Sequence, residues 1–197
     1  MTGKEQVVLF AKRGFSAGLF AGTSGNLSVF DTKAGSIWIT ASGVRYETMT
    51  PDDVMEITPD GTIKSGVHKP SSEWRMHAAI YRAYPKLGAV VHTHSPYATA
   101  FAACKLSIPE VLIEMRIFLG GDIPCAPFAV PGTEAVGEGA VPLLQNRGGC
   151  LLQNHGVLAV GETLEQAYLR AEYIEDAAKI YTIAHSVGMP IPIGERM

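Results

Sequence analysis

Two histidines, His92 and His94, close the apolar run GAVVHTHSP at residues 88–96, in a chain with six histidines in all. Residues i and i+2 of a strand project to one face. A strand over this run therefore aims both imidazoles one way and Thr93 the other. Two imidazoles side by side at a strand end can chelate a divalent ion, although such a pair alone is equally an ordinary polar strand end. Two further residues complete a ligand set. His155 ends a second apolar run, CLLQNHG, with Gly156 behind it to permit a tight turn. Glu73 sits in KPSSEWR, in the first turn of a helix that Ser71 or Ser72 can cap. Three histidines and one carboxylate form a tetrahedral Zn²⁺ site, or one from which the carboxylate withdraws to admit substrate and serve as a base. Taken singly, Glu73 is also explained by the helix dipole, and His155 as a satisfied core histidine. His77, one turn beyond Glu73, fits either a residue supporting the ligands or a packing residue.

A second chemistry recurs in three places. AGTSGN (21–26), TASG (40–43) and KPSSE (69–73) each combine hydroxyls with glycines or a helix start. Gly25 and Gly43 can take positive φ and let backbone amides converge on an anion. Ser71 and Ser72 precede a helix N-terminus, where unpaired N–H groups favour phosphate. Each stretch is also readable as a plain Gly/Ser turn. Ser72 adjoins Glu73, so a phosphate held there lies beside the expected metal.

The elements that must position these residues follow from periodicity and punctuation. A first helix covers about residues 4–18 and stops at Gly18. Leu27–Phe30 and SIWIT (36–40) read as a hairpin. VMEIT and TIKSG read as a second, about the turn Pro59-Asp60-Gly61. A helix runs from the Ser71-Ser72 region to Pro85, then comes the GAVVHTH strand and a short helix in SPYATAFAAC. IPEVLIEMRIFLGG (108–121) is open between strand and helix. GGCLLQNHGVLAVG reads as two strands joined at His155-Gly156. The last helix starts at Thr163 and ends at Gly188. Hairpins alternating with helices predict an α/β chain with a mixed, largely antiparallel sheet, not a βαβ dinucleotide fold.

Bulk properties narrow the function. The 197 residues are 47% hydrophobic and 18% charged, which predicts one well-packed domain over residues 1–197. A net charge of −3 offers no basic field for nucleic acid. No apolar run is long enough for a membrane span. The first residues lack a secretory pattern, and three scattered cysteines suit a reducing compartment, so a cytoplasmic location is expected.

The segments GTSGNLSV, ITASGVRYETMTPDDV, KPSSEWRMHAAIYRAYPKLGAVVHTHSPYATA, GGDIPCAPFAVPGT and LLQNHGVLAVGETLEQAYLRAEYIEDAAKIY resemble, in order, the class II aldolase/adducin family over about residues 5–183. The resemblance is strongest to its ketose-1-phosphate aldolases. It implies a three-layer αβα sandwich with one Zn²⁺ per subunit on Glu73, His92, His94 and His155. It implies a phosphate site at Gly25, Asn26, Ser42, Gly43, Ser71 and Ser72, and a homotetramer with active sites at subunit interfaces. The implied reaction is cleavage of a ketose 1-phosphate, such as L-fuculose 1-phosphate or a 5-deoxyribulose 1-phosphate, to dihydroxyacetone phosphate and an aldehyde, with Glu73 moving the proton. Related epimerases carry Asp where this chain has Glu73, and adducin-like scaffolds often lose the histidines. A methylthioribulose-1-phosphate dehydratase and a non-enzymatic scaffold are the alternatives. The aldolases place a tyrosine proton donor in the segment matching 108–121. This chain has none there and offers Glu114 and Arg116 instead, from a neighbouring subunit.

Overall fold

The computed structural model describes residues 1–194; the last three residues of the expected 1–197 span lie outside the described residues. Eight strands form one sheet in the order β4-β3-β2-β1-β5-β8-β7-β6: β1 (Asn26–Asp31), β2 (Ser36–Thr40), β3 (Val54–Ile57), β4 (Ile63–Ser65), β5 (Ala89–Thr93), β6 (Cys125–Ala126), β7 (Gly149–Leu152) and β8 (Gly156–Gly161). Every pairing is antiparallel except β6 with β7. The sheet is thus mixed and largely antiparallel, as the hairpin signals predict.

Helices cover both faces. α1 (Gly3–Ser16), α3 (Pro96–Ala103) and α5 (Leu164–Val187) pack on one side, where Val7, Phe10, Leu27, Val91, Ala102 and Ile174 share a core. α2 (Trp74–Ala83) and α4 (Glu134–Ala140) cover the other, with Ile39, Met76, Ile80, Val90, Val136 and Leu158 between them. The central strands β5 and β8 are buried along their whole length. They read as continuous apolar runs because both faces are covered. This is the expected three-layer αβα arrangement.

Two boundaries differ from expectation. Neither Ser71 nor Ser72 caps α2; the cap position belongs to Glu73. Ser71 Oγ instead accepts the Glu73 N–H (3.3 Å), closing a turn before the helix and freeing the Glu73 side chain to leave it. The 108–121 stretch is neither a strand nor an α-helix. Ile108 makes a single bridge to Ile123, and Met115–Leu119 form a π-helical turn stopped by Gly120 at φ 83°. α4 carried no legible signal. It is seven residues long with two glycines, and Gly137 lets it approach α2 so closely that a Cβ there would lie 2.7 Å from Ala79 Cβ.

Candidate active site

The four expected ligands converge from three places. β5 buries His92, and His94 follows directly after the strand ends. His155 comes from the loop between β7 and β8, and Glu73 from the start of α2. One ligand atom from each lies within 4.8 Å of the others. The His92 and His94 Nε2 atoms are 3.0 Å apart, as same-face projection requires. Glu73 Oε2 is 3.1 Å from His92 Nε2 and Oε1 is 3.1 Å from His155 Nε2.

The β7–β8 connection works differently from the expected His155-Gly156 turn. Three residues, Gln153 to His155, make it, and Asn154 takes the left-handed conformation at φ 54°. Its backbone N–H is held by the Ala102 carbonyl at the end of α3 (3.1 Å). Gly156 is already in β8, and it is glycine for space: a Cβ there would lie 2.3 Å from the Thr93 carbonyl and 3.1 Å from the His92 and His94 rings.

The donor set fits a divalent cation. His92 Nδ1–H donates to the Val157 carbonyl (2.8 Å), which leaves the Nε2 lone pair facing another imidazole nitrogen and a carboxylate oxygen. Lone pairs so crowded repel unless a cation lies among them. Glu73 Oε1, though close to His155, is buried without an aligned hydrogen-bond donor, and His155 Nδ1 is also without a partner among the described residues. Burial opposes ionisation of Glu73, yet its close contacts with His92 and His155 outweigh it and hold its carboxyl below the usual range. Burial, reinforced by His92 and His155, pushes His94 down to about 4. An unprotonated imidazole is the form that ligates metal.

Beside this cluster lies a cleft of about 310 Å³. All six expected phosphate residues line it, Gly25, Asn26, Ser42, Gly43, Ser71 and Ser72, together with Thr23, Ser24, Glu73, His94, Pro131 and His155. Gly25 and Gly43 have φ of 77° and 75°, as their proposed turns require. A Cβ on Gly25 would sit 2.8 Å from the His92 carbonyl, so this loop leans directly on the histidine strand. The Tyr46 hydroxyl pins it by donating to the Gly25 carbonyl (2.7 Å). Backbone bonds Ser42 N to Lys69 O and Ser71 N to Thr40 O draw the other two segments together. Among the described residues, no lysine or arginine lines the cleft. Hydroxyls, backbone and the α2 N-terminus are what it offers an anion. Asn26 is not wholly free to bind one, because its amide donates to Glu73 Oε2 (2.9 Å) and its oxygen lies 2.5 Å from His77 Nε2. Sequence alone leaves His77 open between two roles; here it is fully buried, and burial pushes it down to about 3. Ser28 and Tyr81, which bond to one another beside it, carried no signal.

Glu114 and Arg116 do not line the cleft of their own chain. Arg116 forms a two-pronged ion pair with Glu110 (2.6 and 2.8 Å), and Glu114 is half-buried. A larger groove, about 460 Å³, lies at the end of α5, but it is lined by residues such as Ile183, Val187 and Met189, with no titratable side chain among them.

A sandwich that gathers three imidazoles and a carboxylate at strand ends beside a hydroxyl-lined cleft is an α/β scaffold able to hold a divalent cation next to an anionic ligand. Residues 5–182 match the Class II Aldolase and Adducin N-terminal domain, and the chain belongs to this family. It is 37% identical to the 5-deoxy-D-ribulose 1-phosphate aldolase of Bacillus thuringiensis serovar kurstaki over 187 residues, which span 95% of this chain and 87% of the relative. It is likewise 37% identical to the L-fuculose phosphate aldolase of Escherichia coli K12, over 89% of this chain and 80% of that one. A solved L-fuculose 1-phosphate aldolase superposes with a TM-score of 0.93 at 32% identity, over 98% of this chain and 91% of that one.

Proposed function

We propose that this protein is a metal-dependent aldolase that reversibly cleaves a ketose 1-phosphate to dihydroxyacetone phosphate and an aldehyde. The carrying observation is the convergence of three imidazole nitrogens and the Glu73 carboxylate on one wall of a hydroxyl-rich cleft. The substrates named for the two curated relatives favour L-fuculose 1-phosphate or a 5-deoxyribulose 1-phosphate. In this reading the whole chain acts as one domain, as a cytoplasmic homotetramer with one Zn²⁺ per subunit. Glu73, His92, His94 and His155 would hold the metal, which would supply Lewis-acid stabilisation at the substrate carbonyl.

The remaining work falls to the chain's own groups. Ser42, Gly43, Ser71, Ser72, Gly25 and Asn26 hold the phosphate, using neutral donors and the α2 N-terminus. That anchor fixes the reacting carbons against the histidine wall. Glu73 holds and moves the proton at the carbon that becomes C1 of dihydroxyacetone phosphate. In this reading the metal makes a Schiff-base lysine unnecessary. Glu114 and Arg116 act on the aldehyde oxygen in the cleft of a neighbouring subunit.

A panel of ketose 1-phosphates assayed for dihydroxyacetone phosphate, with and without chelator, tests the reading. Activity lost to chelator and restored by Zn²⁺ is expected. Glu73→Gln is expected to slow release by about 10²–10⁴-fold, the usual contribution of a positioned acid–base group. Unchanged release from a zinc-loaded Glu73→Gln protein would overturn the mechanism. A non-enzymatic scaffold would instead carry no stoichiometric metal.

A further inference from the structure

Behind Glu73 runs a line of polar groups, of which the proposed reaction uses only Asn26. Asn26 Nδ2 donates to Glu73 Oε2 (2.9 Å) and Asn26 Oδ1 lies 2.5 Å from His77 Nε2. His77 Nδ1 lies 2.7 Å from Ser28 Oγ, and the Tyr81 hydroxyl is 2.7 Å from Ser28 Oγ and 3.1 Å from the Ser28 carbonyl. All five residues are buried, none more than 7% exposed. Two periodicities assemble them: Asn26 and Ser28 are i, i+2 on β1, and His77 and Tyr81 are i, i+4 on α2.

With a neutral imidazole at His77, the protons in this line have only one consistent order. An ionised carboxylate only accepts, so Asn26 must turn its NH₂ to Glu73 and its oxygen to His77. His77 Nε2 must then carry the ring proton, and Nδ1 must accept. The Ser28 hydroxyl donates to Nδ1, and Tyr81 donates to Ser28. Reversing any one member leaves a buried donor facing a donor, or an acceptor facing an acceptor. The line therefore holds Glu73 Oε2 through Asn26 while that oxygen lies 3.1 Å from His92 Nε2, and Oε1, which has no aligned donor, lies 3.1 Å from His155 Nε2.

We propose that His77, Ser28 and Tyr81 are positioning residues: through Asn26 they fix the orientation in which the Glu73 carboxylate faces the histidine cluster, and so set metal affinity without touching a ligand atom of the histidines. This inference rests on the reading of Glu73 as a metal ligand. A packing role for His77 would make an apolar replacement the mildest change. A positioning role makes it the most damaging.

The test is Co²⁺ binding by the full-length protein, read as the dissociation constant in chelator competition and as the visible absorption of the Co²⁺ form. His77→Leu and Ser28→Ala are each expected to weaken Co²⁺ by roughly 10–100-fold, the usual effect of removing a group that orients a ligand, and to shift the absorption band. His77→Gln keeps an N–H for Asn26 Oδ1 and is expected to stay within about threefold of wild type. A folded His77→Leu with wild-type affinity and spectrum overturns the proposal, as does equal weakening by Leu and Gln. If His77→Leu does not fold, Ser28→Ala decides: wild-type affinity and spectrum overturn the proposal, and weakening supports it. Wild-type protein that takes up no Co²⁺ overturns the ligand reading and this inference together. Wild-type uptake with unaltered variants overturns this inference alone.

Discussion

At the scale of single residues, His92 shows how the site is tuned. Its Nδ1–H is held by the Val157 carbonyl, which fixes the tautomer and leaves the Nε2 lone pair facing the cluster. His94→Ala should yield a folded protein that no longer retains stoichiometric zinc, as read by elemental analysis; unchanged zinc content would sink the ligand set. Gly156→Ala forces a methyl against the Thr93 carbonyl. It should cost about 1–3 kcal/mol by overpacking, measurable in urea, and weaken metal binding at the same time. His77 carries a pH signature. Folded, it protonates only near pH 3, whereas an unfolded histidine does so near about 6.5. Between those values the unfolded chain binds the extra proton, so stability is lost as pH falls through about 6.5 toward 3. In chelator-treated protein the urea midpoint should drop between about pH 7 and pH 5, and His77→Gln should flatten that drop. An unchanged slope would show that His77 is not the group responsible. That His92, His94 and His155 meet Glu73 in one cluster was legible from residue type, strand-end position and the family resemblance together. The Ser28–Tyr81 end of the polar line was not, because its members come from two elements and meet only when α2 docks on β1.

Among the elements, legibility followed length and regularity. α5, with Thr163 accepting the Gln166 N–H and Gly188 at its end, and the hairpin about Pro59–Gly61, stand where sequence puts them. The failures have local causes. β6 is two residues long and borrows its order from β7. α4 packs closely on α2 because Gly137 leaves room for Ala79 and Met76, which no propensity reports. The 108–121 segment resists assignment because a π-helical turn has the period of neither element. That turn also organises the end of the described chain: Ile193 N–H donates to the Glu110 carbonyl (2.8 Å), and Arg116, paired to Glu110, donates to the Gly194 carbonyl. Arg116→Ala should release this contact. Limited proteolysis near residues 190–194 should then be faster than in wild type, with the thermal midpoint almost unchanged. Equal cleavage rates would show that the contact does not hold the tail.

For the molecule as a whole, the sheet order explains why sequence showed so much of the site. β5 sits between β1 and β8, so the cluster is fed from the middle of the sheet, where strands are buried on both faces and read as unbroken apolar runs. Helices then close it from both sides. No helix among the described residues is long and apolar enough to cross a membrane. Sedimentation is expected to report four times the monomer mass, in keeping with the proposed shared sites; a monomer retaining full activity would remove Glu114 and Arg116 from the reaction. The architecture also dictates an order of events in the making of the protein. The first expected ligand is residue 73 and the last is residue 155, and the bond that orients His92 reaches to Val157, 65 positions further along. A nascent chain emerging from the ribosome cannot assemble this centre until most of its length has been translated and β8 has zipped onto β5, a non-local pairing and hence a slow one. On the proposed ligand set, metal capture waits for this pairing, and in refolding the Co²⁺ colour should rise with the slowest phase.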